Sequence, residues 1–86
     1  MQLTDRPNAI IGEDSGQRVA QITWTDQGRD RVIDHTWVSP ALRGQGVALT
    51  LVERAVARAR SEGKRVVPAC SYVAATLAMR PDLASA

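Results

Sequence analysis

The hydrophobic period of this chain first changes at a glycine loop. From Arg18 to Thr25 the residues alternate, with Val19, Gln21, Thr23 and Thr25 on one side and Ala20, Ile22 and Trp24 on the other; β-branched and aromatic residues then run from Val32 to Val38. Alternation marks half-buried strands. From Val47 to Glu62 the apolar positions Val47, Ala48, Leu51, Val52, Ala55 and Ala59 recur at steps of three and four, while Thr50, Glu53, Arg54, Ala57, Arg58 and Ser61 take the opposite arc. That is the pattern of an amphipathic helix. Between the two regimes lies Arg43-Gly44-Gln45-Gly46. Strands that feed through a glycine loop into one long helix confine the chain to a sheet with a helix packed across it.

The remaining segments fit around this frame. Met1 to Pro7 shows no period and reads as a loose start, with a short strand over Ala9 to Gly12. Glu13-Asp14-Ser15-Gly16-Gln17 and Asp26-Gln27-Gly28-Arg29-Asp30 are turn clusters, and the second joins the two alternating segments as an antiparallel hairpin with a longer loop. Ser39-Pro40 ends the second of these strands. Gly63 is placed to stop the long helix. Lys64 to Pro68 is a short strand closed by a proline that cannot donate into a ladder, and Ser71 to Met79 is a second helix with Val73, Ala74, Leu77 and Ala78 on one face, ended by Arg80-Pro81. The expected fold is α/β: a mostly antiparallel sheet of about four strands, a crossover helix after the glycine loop and a short C-terminal helix, in a single domain over residues 1–86.

Composition removes several function classes. With 86 residues there is material for one small core and none for a second domain. One cysteine and one histidine provide neither a disulfide framework nor a Cys/His zinc site, so no metal is expected. The apolar runs fall short of the ~20 residues that span a bilayer, and Met1 to Asn8 lacks a signal layout. The expected location is cytoplasmic, with no membrane partner. A net charge of +2 is mild, but Arg43, Arg54, Arg58, Arg60, Lys64 and Arg65 face only Glu53 and Glu62 within their stretch. A solvated helix face whose last arginines complement the negative end of the helix explains them better than a polyanion does, and few aromatics are present for base stacking. Nucleic acid is therefore not the expected partner.

The loop carries the chemistry. The first amides of a helix lack intrahelical partners and sit at the positive end of its dipole, so they attract phosphate. Gly44 and Gly46 let the backbone turn and approach such a group closely. No Gly-Lys-Ser/Thr follows and the three-glycine dinucleotide pattern is absent, which disfavours ATP and NAD. By itself a two-glycine turn before a helix is more often a tight turn than an anion site.

Arg43-Gly44-Gln45-Gly46-Val47-Ala48 resembles the Arg/Gln-x-x-Gly-x-Gly/Ala signature of the GNAT acyltransferases, and Trp37-Val38-Ser39-Pro40-Ala41-Leu42 is similar to their lead-in. With His35-Thr36-Trp37-Val38 and Val67-Pro68-Ala69-Cys70-Ser71-Tyr72-Val73, the resemblance narrows to a subgroup of very short GNAT proteins and covers roughly residues 18 to 83. The resemblance implies acetyl-CoA as cosubstrate, its pyrophosphate on Arg43, Gly44, Gln45, Gly46, Val47 and Ala48 and its pantetheine arm along Trp37 and Val38. It also implies transfer of an acetyl group to a primary amine; a protein or peptide is one candidate acceptor because so little chain precedes the sheet. The chain departs from the subgroup at its end, where Thr76-Leu77 and Arg80-Pro81-Asp82-Leu83 replace a tyrosine and a His-Pro-acid-Tyr run.

Cys70 and His35 are the candidate catalytic residues, because the resemblance puts both near the thioester. A lone cysteine is usually a small buried hydrophobe, and a lone histidine is commonly structural. In a regular strand Asp34 and His35 would face opposite ways, so the two would not both face one site. The alternative to an enzyme is a non-catalytic CoA-binding or protein-interaction module, since little chain precedes the sheet to enclose an acceptor. An open acceptor side, or one completed by a second subunit in a homo-oligomer, follows from the same observation.

Overall fold

A computed structural model describes residues 1–84; the last two positions of the expected domain lie outside the described residues. The elements are β1 (Gln2–Arg6), β2 (Ala9–Asp14), β3 (Gln17–Gln27), β4 (Asp30–Val38), a single 3-10 turn (Pro40–Leu42), α1 (Val47–Ser61), β5 (Arg65–Pro68), α2 (Ser71–Met79) and α3 (Pro81–Ala84). They build one sheet in the order β1-β2-β3-β4-β5. The first four strands are antiparallel and β5 is parallel to β4, the direction that a crossover through α1 makes available.

The sheet has five strands rather than about four. Met1 to Pro7, expected as a loose start, contains β1, paired in register with β2 from Gln2↔Glu13 to Arg6↔Ala9. Its sequence shows no alternation because an edge strand needs only backbone pairing and one anchor. Leu3 packs against the core, and the Arg58 guanidinium on α1 donates to the carbonyls of Arg6 and Pro7 at 2.7 and 3.4 Å. The β3–β4 hairpin is also tighter than expected, since Gln27 pairs with Asp30 across two residues. At the C-terminal end, Arg80-Pro81 stops α2 but opens α3, for a proline is well suited to the first helical position.

All three helices lie on one face of the sheet. Ile10, Ala20, Ile22, Trp24, Ile33 and Val38 form a single cluster with Leu51, Val52, Ala55 and Val56 of α1, Val73 and Leu77 of α2, and Leu83 of α3. The α1 stripe is as expected with Val56 added. On α2 only Val73 and Leu77 are buried; Ala74 and Ala78 are exposed, because nine residues laid on a narrow sheet edge cover little more than one row.

Arg31 is 1% exposed yet charged. It donates to both carboxylate oxygens of Asp26 and to Glu62 Oε1, and its guanidinium stands 4.9 Å from the Trp24 ring centroid, with Arg58 at the same distance from that ring. Burial of such a charge is tolerable only when it is paired and hydrogen-bonded. The basic stretch from α1 to the start of β5 is likewise committed internally: Arg54 and Arg58 meet Asp5, Lys64 meets Asp26 and Arg65 meets Asp30.

Candidate active site

The site begins where β5 leaves β4. Their pairing runs from Asp30↔Arg65 to Ile33↔Pro68 and stops, because Pro68 has no amide to continue it and the next two amides, of Ala69 and Cys70, both turn onto the Ile33 carbonyl at 3.0 Å. From Asp34 to Val38, β4 therefore has no strand on this side. The gap opens into a cleft of about 500 Å³ lined by Thr36, Trp37, Val38, Leu42, Arg43, Gly44, Gly46, Val47, Ala48, Leu49 and Tyr72.

A β-bulge decides what faces this gap. Thr23 pairs with His35 and Trp24 with Ile33, so Asp34 is an extra residue in β4. Cross-strand partners share a face. Thr36, opposite the buried Ile22, thus joins Ile33 on the helix side, whereas His35, opposite Thr23, lies on the other face. Asp34 lies there too, since it accepts hydrogen bonds from the hydroxyls of Thr23 at 2.6 Å and Thr25 at 3.2 Å. The expectation that Asp34 and His35 face opposite ways is therefore corrected: one inserted residue resets the alternation and turns both toward the face without helices.

The loop and the start of α1 form the far wall. Gly44 and Gly46 have φ of 82° and 77°, a left-handed conformation that costs glycine nothing. Gly46 is the N-cap of α1, and the first helical bond runs from the Thr50 amide to the Gly46 carbonyl at 3.1 Å. The amides of Val47, Ala48 and Leu49 are left without helical partners, and the first turn holds no acidic residue that would compete for them. Arg43 is exposed beside them, its Nε donating to the Val38 carbonyl at 3.3 Å. Backbone amides and one guanidinium form a concave, positively polarised surface suited to a phosphate ester. Trp37, Val38, Arg43, Gly44, Gly46, Val47 and Ala48 all line the cleft; of the expected cofactor residues only Gln45, exposed at the crest of the loop, stands outside the lining.

Cys70 is the N-cap residue of α2, half-buried, and its Sγ lies 3.8 Å from Thr36 Oγ1. Burial pushes the thiol up, but the amide of Val73, the hydroxyl of Thr36 and the amides of Tyr72 and Thr36 outweigh it, leaving the thiol below its ordinary range. Cys70 and His35 are thus not brought together. Thr36 is the β4 neighbour of the sulfur, a placement that no signal in the letters announces because it depends on the bulge. No group of three or more metal-ligating side chains is found among the described residues, and no described helix is long and apolar enough to cross a membrane.

This arrangement, a sheet splayed at a bulge with free amides at the start of the crossover helix, is that of an acetyltransferase fold. Residues 9–86 match the model of the GCN5-related N-acetyltransferase family, and the chain belongs to that family. Among solved structures it is similar to a GCN5-like protein from Staphylococcus aureus determined by NMR, at 28% identity and a TM-score of 0.78 over 95% of this chain and 82% of that one. Its fold also matches a ribosomal-protein-alanine N-acetyltransferase from Brucella melitensis, at 18% identity and a TM-score of 0.66 over 83% of this chain and 59% of that one. A Bacillus anthracis protein crystallised in complex with acetyl coenzyme A matches at 17% identity and a TM-score of 0.64, over 88% of this chain and 48% of that one. The chain therefore spans about half the length of these two. No curated protein matches it.

Proposed function

We propose that this single domain transfers an acetyl group from acetyl-CoA to a primary amine, the acceptor being a protein or peptide. The observation that carries the reading is the gap beyond Ile33 and Pro68, which leads directly into the amides of the Gly44–Ala48 loop. The pyrophosphate of acetyl-CoA would sit on those amides and on Arg43, with Gln45 at the rim, and its pantetheine arm would run along Trp37 and Val38 in place of the missing strand. That path ends the thioester at the bulge.

Cys70 and His35 then divide the work across β4. An amine approaching from the face without helices meets His35, which takes a proton from the ammonium and passes it to solvent. The N–C bond forms and the C–S bond breaks. On the helix side the departing CoA thiolate takes the Cys70 proton, a transfer eased by a thiol that holds its proton less tightly than usual. Cys70 regains a proton from the second one that the amine sheds, so that amide, CoA thiol and one solvent proton are the net products. A large protein substrate suits this face, which carries exposed Thr25, Asp34 and His35 and no helix among the described residues.

Calorimetric titration with acetyl-CoA, CoA and ATP tests the binding half: acetyl-CoA and CoA should bind and ATP should bind far more weakly. Release of free CoA thiol in the presence of lysine-containing peptides tests the transfer half. Tight acetyl-CoA binding with no release over any amine would leave a CoA-binding module and overturn the enzymatic reading.

A further inference from the structure

Thr36 occupies the position on β4 that sequence alternation assigns to His35. It is half-buried, lines the cleft, and is the side chain on β4 that touches the Cys70 sulfur. We propose that Thr36 is a positioning residue for Cys70, its hydroxyl accepting from the thiol at 3.8 Å and reversing to donate to the thiolate once the proton has left. The proposal rests on the acetyl-transfer reading of Cys70, but its test does not.

The chemistry singles out a hydroxyl. A group that serves sulfur both before and after proton loss must be acceptor and donor in turn, and a hydroxyl does this by rotating about one bond. An amide cannot. The amides of Tyr72, Val73 and Thr36 favour the thiolate only as fixed donors, and the Cys70 amide and the Ile33 carbonyl are already bonded to each other. The charged and titratable neighbours lie elsewhere: Asp34 and His35 face the far side of β4, Arg65 at the start of β5 is paired with Asp30, and Tyr72, in the first turn of α2, is exposed. On this placement, Thr36 keeps the sulfur turned toward the gap and offsets the cost of leaving a negative charge there.

The single cysteine allows a direct measurement. The rate of iodoacetamide alkylation of the unliganded chain, followed by intact mass across pH 5 to 10, reports the thiolate fraction. Thr36→Val should move the midpoint upward and slow alkylation at neutral pH by roughly 3- to 10-fold, the scale of losing one ordinary hydrogen bond. Thr36→Ala, which removes the hydroxyl without a shape-matched methyl, should do the same, and Thr36→Ser should restore the wild-type profile. If Val and Ala variants that remain folded by circular dichroism superimpose on wild type, or if Ser is as impaired as Val, the proposal is overturned. Because alkylation requires neither acetyl-CoA nor an amine, a chain that shows no acetyl transfer would sink the enzymatic reading while leaving this result standing.

Discussion

The Thr23 hydroxyl donates a 2.6 Å hydrogen bond to Asp34 Oδ1, so the residue that breaks the alternation of β4 is held in place by the strand across which it is out of register. Everything beyond it on β4 keeps its partners because the bulge absorbs that one insertion. Deleting Asp34 should leave a regular strand in which His35 follows Ile33 on the opposite face, so that Thr36, Trp37 and Val38 keep their partners and their faces. Val38 would stay in the core, and the cost would be about 1 kcal/mol for the two exposed hydrogen bonds that Asp34 accepts. Urea denaturation should show this small loss and calorimetry an acetyl-CoA affinity within about threefold of wild type; a deletion variant that loses its core stability or binds at least about tenfold more weakly would refute this account of the bulge.

Gly46 separates strain from charge at the loop. A Cβ there meets no atom within 4 Å, although φ is +77°, so Gly46→Ala should fold with a penalty of about 1 kcal/mol and bind acetyl-CoA nearly as wild type does. Gly46→Asp adds a carboxylate where the pyrophosphate is placed and should abolish binding in a folded protein. Equal affinities for the two variants would remove the loop from the site.

Arg31 should be the most sensitive charged residue for stability. Arg31→Met keeps much of the stem volume but loses three hydrogen bonds and the contact with Trp24, and should destabilise the fold by about 2–4 kcal/mol in chemical denaturation. Retained stability would mean that the network is dispensable.

The same network fixes the acid limb of the stability curve. Hydrogen bonds from Arg31 hold the Asp26 carboxyl below its ordinary range, and hydrogen bonds from Arg31 and then Arg58 do so for Glu62. Carboxyls with depressed values in the folded state stabilise it fully above their unfolded values near 3.8 and 4.5. That contribution is lost as pH falls through the lower, folded values. Thermal melts should therefore decline from about pH 4.5 downward, with a shallower decline in Arg31→Met; parallel curves would contradict the assignment.

Cys70→Ala and His35→Ala should each keep acetyl-CoA affinity within about twofold while lowering turnover on a verified amine by about 100-fold, the usual scale for removing a proton-transfer group. An acetyl adduct on wild type that is absent from Cys70→Ser, seen by intact mass after mixing with acetyl-CoA, would replace direct transfer by a covalent route. Wild-type turnover in both alanine variants would return the two residues to packing roles.

Local order along the chain determined most of the frame. Alternation over Arg18 to Thr25, the β-branched and aromatic run from Val32 to Val38, the three-four period of α1, the glycine loop and the proline that closes β5 are all nearest-neighbour properties, and each reappears as an element or an end of one. That Trp37, Val38 and the loop lie along one cleft agrees with what the family resemblance implied, and no local period encodes it. Tertiary structure decided three other matters. Strand β1 exists because β2 and the Arg58 guanidinium give its backbone partners, which no pattern within Met1 to Pro7 encodes. The buried pairing of Arg31 with Asp26 and Glu62 joins residues whose charges read, in sequence, as ordinary surface. The identity of the Cys70 neighbour turned on a bulge, which is a mismatch between two strands and so has no signature in either strand alone. A one-residue offset between β3 and β4 put Thr36, not His35, against the sulfur, because side-chain facing in a sheet depends on the pairing partner as well as on the chain's own period.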